Sequence, residues 1–416
     1  RQVLRRQLST NAPAQTDKAA AALHFRRRQS ERSLQNVSFI GRGDKQKRIF
    51  PLLLIPQTLS LPPISLNNTH ERLIPQAQNR RLRAPNGHKM PYAQNRMNAF
   101  FEIQEKRARL LPIEVVTLGY TLFTALLIFY FWPQMEAPWR LLMGRAMIVI
   151  ALGGIWGLNY AAPCEATRIL RNIFPLTILG YWYSDTYEFN RLFDNLDYIF
   201  AAADYDWFGS QPSLVFRQLL PGKGWSELFH FGYFSYFPMI VTTTLLPYFV
   251  KRDTFERYAF IIIASFFLYY VVFLFLPVAG PQYYFHAVGL DKIHAGIFPQ
   301  LHDYFRYHTE LHAVGCPEGL FQDLVELTQS SGERPTAAFP SSHVGISTLL
   351  MIILFKTHRK TAWAFLPVYL LLCCSTVYIE AHYLVDVFGG LISGLLFYVI
   401  TNKIYTLINT HKIQSL

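Results

Sequence analysis

From Leu110 onward the chain is a succession of apolar runs, several of them close to the roughly 20 residues an α-helix needs to cross a bilayer. Eight candidate spans follow one another: Leu110–Trp132, Leu141–Asn159, Ile169–Tyr183, Phe229–Val250, Tyr258–Val278, Val344–Phe355, Thr361–Ile379 and Tyr383–Ile400. Lipid offers no partner to a backbone N–H or C=O, and a helix satisfies both within itself. The expected fold is therefore all-α, a polytopic transmembrane bundle of about six to eight spans with two long outer loops. Ile169–Tyr183, interrupted by Pro175, and Val344–Phe355 are short, so tilting or flanking polar turns must complete them.

Composition agrees. Hydrophobic residues make up 51% and charged residues only 16%, where soluble domains carry about 25% charge. The net charge of +12 is not spread evenly. Residues 1–96 hold 18 Lys/Arg against 4 Asp/Glu, and the remaining 320 residues sum to −2. That first segment, rich in Arg, Gln, Asn and Pro, reads as a basic, disordered extension. Its one apolar stretch, "IFPLLLIPQTLSLPPISL", is broken by four prolines. Two readings stay open for it: a cytoplasmic tail drawn to anionic lipid, or an over-extended reading frame with translation starting near Met90 or Met97. A transit peptide would need a clean amphipathic pattern. Residues 97–109 are then a cytoplasmic juxtamembrane segment, 110–403 the transmembrane catalytic domain and 404–416 a short cytoplasmic tail.

Basic residues orient the spans. "KRDTFER" (Lys251–Arg257) and "KTHRK" (Lys356–Lys360) are compact basic loops, Lys106, Arg107 and Arg109 precede the first span, and Arg168 and Arg171 flank the start of the third. Alternation puts them all on one side, the cytoplasmic one, with both termini. The long loops 184–228 and 279–342 fall on the other side. The second of these has 3 basic and 7 acidic residues. The expected location is an integral, multi-pass membrane protein, in a bacterial inner membrane or else a Golgi- or ER-type one. The four cysteines, Cys164, Cys316, Cys373 and Cys374, make no extracellular framework, and the adjacent last two read as buried thiols.

Two stretches carry chemistry. In "AAFPSSHVGISTLLMIILF", Ala337 to Phe355, Ser341, Ser342 and His343 stand at the mouth of an apolar run. In "CSTVYIEAHYLVDVFGGLISG", Cys374 to Gly394, His382 and Asp386 are four apart, one turn from each other on a helix. A carboxylate there can accept the imidazole's Nδ1 hydrogen bond, fix its tautomer and leave Nε2 free to attack. An aspartate inside a membrane helix is costly unless paired or hydrated. Alternation brings His343 and His382 to the same outer face, and the turn at Pro340–Ser342 starts a helix whose free N–H groups attract anions. Two imidazoles, a carboxylate and an anion cradle at a lipid–water boundary suit phosphoryl transfer. Simpler readings stand beside this one. Ser341 and Ser342 could be N-caps, and His382 with Asp386 a polar pair joining two helices. A transporter or scaffold could use the pair as a proton relay.

At "FPSSH" and "H-x3-D" the chain resembles the type-2 phosphatidic acid phosphatase superfamily. The resemblance implies a phosphohistidine at His382, activation by Asp386, leaving-group protonation by His343, and phosphate held by Ser341, Ser342 and backbone amides. The superfamily's first signature, a lysine followed seven residues later by Arg-Pro, is absent, since Arg334-Pro335 has no such lysine. Ser375 and Thr376 occupy the Ser-Arg places of the third signature. These losses, with "LDYIFAAADYDWFGSQPS", "SELFHFGYFSYFP" and "LPVAGPQYY", resemble the inositol phosphorylceramide synthase branch. That branch implies a phosphotransferase acting on a membrane phospholipid and a ceramide-like alcohol. A lipid phosphate phosphatase differs from it only in the acceptor.

With the signature arginines missing, Arg334, Lys292 and Arg306, or Tyr283 and Tyr284, are candidates to meet the phosphate. The reaction needs no cofactor or metal, because cationic and amide donors can stabilise its transition state. The loop histidines His286, His294, His302, His308 and His312 have no helical or cysteine-supported spacing for a metal. Asp194, Asp197, Asp204 and Asp206 read as a solvated loop with helix caps. Gly389, Gly390 and Gly394 read as close helix packing, and the many Tyr and Trp at span ends as interfacial anchors. The implied partners are lipids in the bilayer, not nucleic acid, and the oligomeric state is left open.

Overall fold

The first two helices of the bundle, α1 (Pro112–Phe131) and α2 (Pro138–Ala161), both begin on a proline. Its φ is preset for a helix, and the N–H it lacks is one the first turn does not use. Glu114 accepts the orphan N–H of Leu111 at 2.8 Å. The computed structural model describes residues 100–414 other than 106–107 and 312–318. The extension 1–96, Met97, Lys106, Arg107, His312 and Cys316 lie outside the described residues. Every regular element among those described is helical, which is the all-α bundle expected. After α2 come α3 (Glu165–Thr177), α4 (Leu179–Asn190), α5 (Asp197–Phe208), α6 (Pro212–Leu219), α7 (Lys223–Phe234) and α8 (Tyr236–Val250). They are followed by α9 (Phe255–Phe275), α10 (Pro281–Val288), α11 (Leu320–Gly332), α12 (Ser342–Thr357), α13 (Arg359–Tyr378) and α14 (Leu384–Gln414).

Five helical segments are long and apolar enough to cross a membrane, and α12, with 16 residues, is a shorter apolar helix. The third and fourth expected spans are each broken in two. Pro175 sits inside α3, which stops two residues later, and Ile178 (φ −95°, ψ 8°) separates it from α4. Pro238 lacks the N–H that would bond the carbonyl of Phe234, where α7 ends. The two long outer loops are not loops either: α5, α6 and part of α7 fold from the first, α10 and α11 from the second.

Helix α9 is the central post. In its apolar window 78% is buried, against 28% and 22% in the segments of α1 and α2, whose Leu122, Tyr130, Met147 and Ile150 face outward. Apolar side chains turned outward on a helix of spanning length are what a lipid surface requires. Cys373 is only half-buried and Cys374 is exposed, correcting the expectation of two buried thiols. Adjacent residues on a helix point about 100° apart, so both cannot face the same neighbour.

Ion pairs tie the peripheral helices together. Arg145 on α2 meets Asp185 on α4 bidentately, Nη1 to Oδ1 at 3.0 Å and Nη2 to Oδ2 at 2.6 Å, both side chains 3% exposed. Arg171 on α3 donates to both oxygens of Glu114 on α1, at 2.7 and 2.6 Å. Removing one partner of such a pair strands a buried charge. Arg145→Ala should lower unfolding stability by about 3–5 kcal/mol, read by thermal unfolding in detergent.

One end of the bundle gathers the basic loops. Lys251 Nζ donates to the carbonyl of Lys356 at 2.9 Å, Arg252 pairs with Glu165 at 2.5 Å, and Arg168 with Glu256 at 2.7 Å. The starts of α12 and α14 meet at the other end of α12. Gly390 permits this: a Cβ there would stand 2.6 Å from the carbonyl oxygen of Ser341.

Candidate active site

Ser341 begins the site by capping α12. Its Oγ accepts the N–H of Val344 at 3.3 Å, and its own N–H donates to the carbonyl of Asp386 at 3.1 Å. Ser341 is fully buried and Ser342 nearly so. The capping reading of Ser341 is therefore realised, and the cap joins α12 to α14 directly. His343, half-buried in the first turn of α12, lies between two tyrosines, Tyr233 of α7 and Tyr236 of α8, with ring centroids 4.6 Å away in each case.

His382 does not lie on a helix. It sits in the turn between α13 and α14, so the expected i,i+4 helical face with Asp386 is not formed. Its backbone N–H donates to Thr376 O at 3.0 Å, and its Nδ1 lies 2.8 Å from the carbonyl oxygen of Ala338. A carbonyl can only accept, so Nδ1 carries the proton and the Nε2 lone pair is free. Nε2 lies 3.4 Å from His343 Nδ1. Asp386 Oδ2 is 3.5 Å from His382 Nδ1, behind the closer carbonyl. Its bonded partner is instead the N–H of Tyr383, at 2.9 Å. Ala338, not Asp386, thus fixes the tautomer, and Asp386 lies behind it. Burial pushes the His382 imidazole down to about 4, with the Ala338 bond opposing, so it is neutral at neutral pH.

The residues that hold this turn come from α5 and its approach, where sequence had suggested a solvated loop. Asp197 is fully buried and accepts the N–H groups of Ala279 (2.6 Å) and Gly280 (2.7 Å), Asn195 Nδ2 (2.5 Å) and the hydroxyl of Tyr383 (2.9 Å). Asp204, also buried, accepts the N–H groups of Leu384 (2.8 Å) and Val385 (2.9 Å), capping α14 from a neighbouring helix. Burial pushes Asp204 up to about 6 against those two donors. Seven residues apart, Asp197 and Asp204 share one face of α5 with buried Ala201, a spacing visible in the sequence.

Gly280, at φ +96°, lets the start of α10 approach, since a Cβ would stand 2.7 Å from Ala381 O. Ala337 (φ 70°) and Glu380 (φ 61°) take left-handed backbone on the two segments flanking His382. Such strain, about 1–3 kcal/mol each, persists only where the surroundings enforce it.

The cation candidates fare differently. Arg334 is exposed, its Nη1 on the carbonyl of Glu333 at 3.1 Å, with no contact to the histidines. Lys292 is exposed, and Arg306 reaches Gln134 O at 3.4 Å. The hydroxyl of Tyr284 is engaged by Pro299 O at 2.8 Å, while that of Tyr283 is buried with no partner among the described residues. The cation beside the His382 turn is Arg217 of α6, 3.2 Å from Glu380 Oε1, which sequence gave no reason to select. Of the loop histidines, His302 pairs with exposed Asp194 at 3.1 Å and His308 stacks on Tyr304.

Chemically, the site offers a neutral imidazole with a free lone pair, a second imidazole in contact with it, and a carboxylate behind. No curated protein and no solved structure matches the chain. Residues 203–400, which contain His343, His382, Asp386, Asp204 and Arg217, match the model of the PAP2 superfamily.

Proposed function

We propose that the protein is a membrane lipid phosphotransferase that moves a phosphoryl or phospho-headgroup unit to a ceramide-like alcohol through a phosphohistidine. The supporting observation is the 3.4 Å contact between His382 Nε2 and His343 Nδ1, with the proton held on His382 Nδ1 by Ala338. The match to the PAP2 superfamily points to the same class of lipid phosphoryl chemistry.

The lipid phosphate breaks the 3.4 Å contact between the two imidazoles and takes its place between them. His382 Nε2 attacks phosphorus, the bond to the leaving oxygen breaks, and protonated His343 gives that oxygen its proton. Tyr233 and Tyr236 hold the His343 ring from either side, with centroids 4.6 Å away in each case. The positive charge on the phosphorylated His382 ring is met by Asp386, 3.5 Å from Nδ1. The acceptor hydroxyl then attacks phosphorus, neutral His343 takes its proton, and the N–P bond breaks. Arg217, paired with Glu380 at 3.2 Å beside the turn, is the cation we assign to the incoming phosphate.

The test is a product analysis with the full chain in detergent, a head-group-labelled phospholipid, and ceramide present or absent. Transfer requires a new labelled sphingolipid that appears only with ceramide. Release of label unaffected by ceramide would assign the protein to lipid phosphate hydrolysis instead.

A further inference from the structure

Glu380 is a charged residue standing where backbone geometry favours glycine. Its φ of +61° is left-handed, a conformation that any side chain makes costly. It is only 2% exposed and lies two positions before His382, so the two Cα atoms are within roughly 7 Å. Among the described residues its side chain meets one cation, Arg217 of α6, whose Nη1 is 3.2 Å from Oε1. Oε1 has no aligned hydrogen-bond donor among those residues, so the contact is one of charge. Arg217 is 39% exposed, and its planar fork of five N–H donors leaves some for an anion while Glu380 holds one edge.

Holding the fold together does not account for this pair. Helix α6 is already docked: the Phe216 ring packs on Phe229 and Tyr378, with centroids 5.1 and 5.5 Å away, and the Tyr378 hydroxyl donates to Leu220 O at 2.8 Å. The turn is pinned through its backbone, since the N–H of Glu380 donates to Val377 O at 3.1 Å and that of Gln282 to Glu380 O at 2.8 Å. Acting directly on a phosphate, the carboxylate would only repel it. Acting on the arginine, it restricts a long, partly solvated side chain to the rotamers that face the turn. We infer that Glu380 is a positioning residue, which holds Arg217 beside the His382 turn with its remaining donors available to the phosphate. This deepens the reading under Proposed function and rests on its assignment of Arg217 to the phosphate.

The sign of one binding change tests this. The probe is orthovanadate, a tetrahedral anion of phosphate's shape, titrated against the full chain in detergent. Arg217→Ala should weaken its binding about tenfold or more. Glu380→Gln removes a negative charge from beside the anion, yet should weaken binding at least fivefold, because Arg217 is no longer held. Added to Arg217→Ala, the same change should weaken binding no further. Glu380→Asp, which keeps the charge but draws it back, should fall between Glu380→Gln and the wild type, and it decides the matter where Glu380→Gln does not fold. Wild-type or tighter binding by the Glu380 variants overturns the inference, and so does an equal weakening by Glu380→Gln with and without Arg217. Wild-type binding by Arg217→Ala overturns it together with the assignment of Arg217. The titration needs no turnover: the expected binding pattern without any phosphoenzyme in the wild type keeps this inference and removes the phosphohistidine mechanism.

Discussion

His382→Ala should lower turnover of any phospholipid substrate by about 10³-fold or more and leave no acid-labile phosphoenzyme to trap. The atom removed is the one whose lone pair the structure leaves free, since Ala338 O engages Nδ1 at 2.8 Å. His343→Ala should slow release of the leaving group and still permit trapping with a substrate whose leaving group departs without a proton. That contrast assigns the two imidazoles by role rather than by presence. Measured turnover of His382→Ala near the wild-type rate would end the phosphohistidine mechanism. Because His382 is neutral with a low proton affinity, its nucleophilic form is present throughout the neutral range and is lost only as the pH falls toward about 4.

Asp197→Ala is expected to lower both stability and turnover. It leaves three donors without their acceptor, the N–H groups of Ala279 and Gly280 and the Tyr383 hydroxyl, and leaves the Asn195 amide only its longer bond to Pro277 O at 3.4 Å. Each orphaned buried donor costs about 1–3 kcal/mol, and a total of about 3–5 kcal/mol follows if part of the site relaxes to admit water. Thermal unfolding in detergent measures this loss. Activity should fall with it, because Tyr383 adjoins His382 and Ala279–Gly280 opens the segment packed on Ala381. Asp197→Asn keeps one acceptor oxygen and should recover part of both. An alanine variant with wild-type melting and turnover would show that the Asp197 network does not hold the turn.

The site was partly legible before any coordinates. His343, His382 and Asp386 are set apart by being polar groups at the mouths of apolar runs, where lipid gives them no ordinary partner. Alternation of spans suggested that the two imidazoles share one end, and they are in contact. The relation of His382 to Asp386 was misjudged because i,i+4 spacing implies a helical face only if the helix extends that far. Here α14 begins at Leu384, after the histidine. Arg334 was selected as a basic residue of the second long loop once the signature arginines were missing, yet its side chain is exposed, and Arg217, 165 positions before His382, is a cation by the turn. Asp197 and Asp204 were read as solvated because segment 184–228 looked like a loop. Helix α5 folds from it and buries both carboxylates against the His382 turn.

By itself, the amino-acid order determined that this chain folds as helices with much apolar surface, because hydropathy is a local property and a helix closes its own hydrogen bonds. It also singled out His343, His382 and Asp386 as polar groups at the mouths of apolar runs. Tertiary structure alone decided which proton His382 carries, which carboxylates brace its turn, and which charged side chains approach it. Those outcomes depend on a carbonyl from Ala338 and an acid from Asp197 arriving across 44 and 186 positions of sequence. No local pattern encodes a hydrogen bond between segments so far apart, since its geometry exists only once the helices have packed.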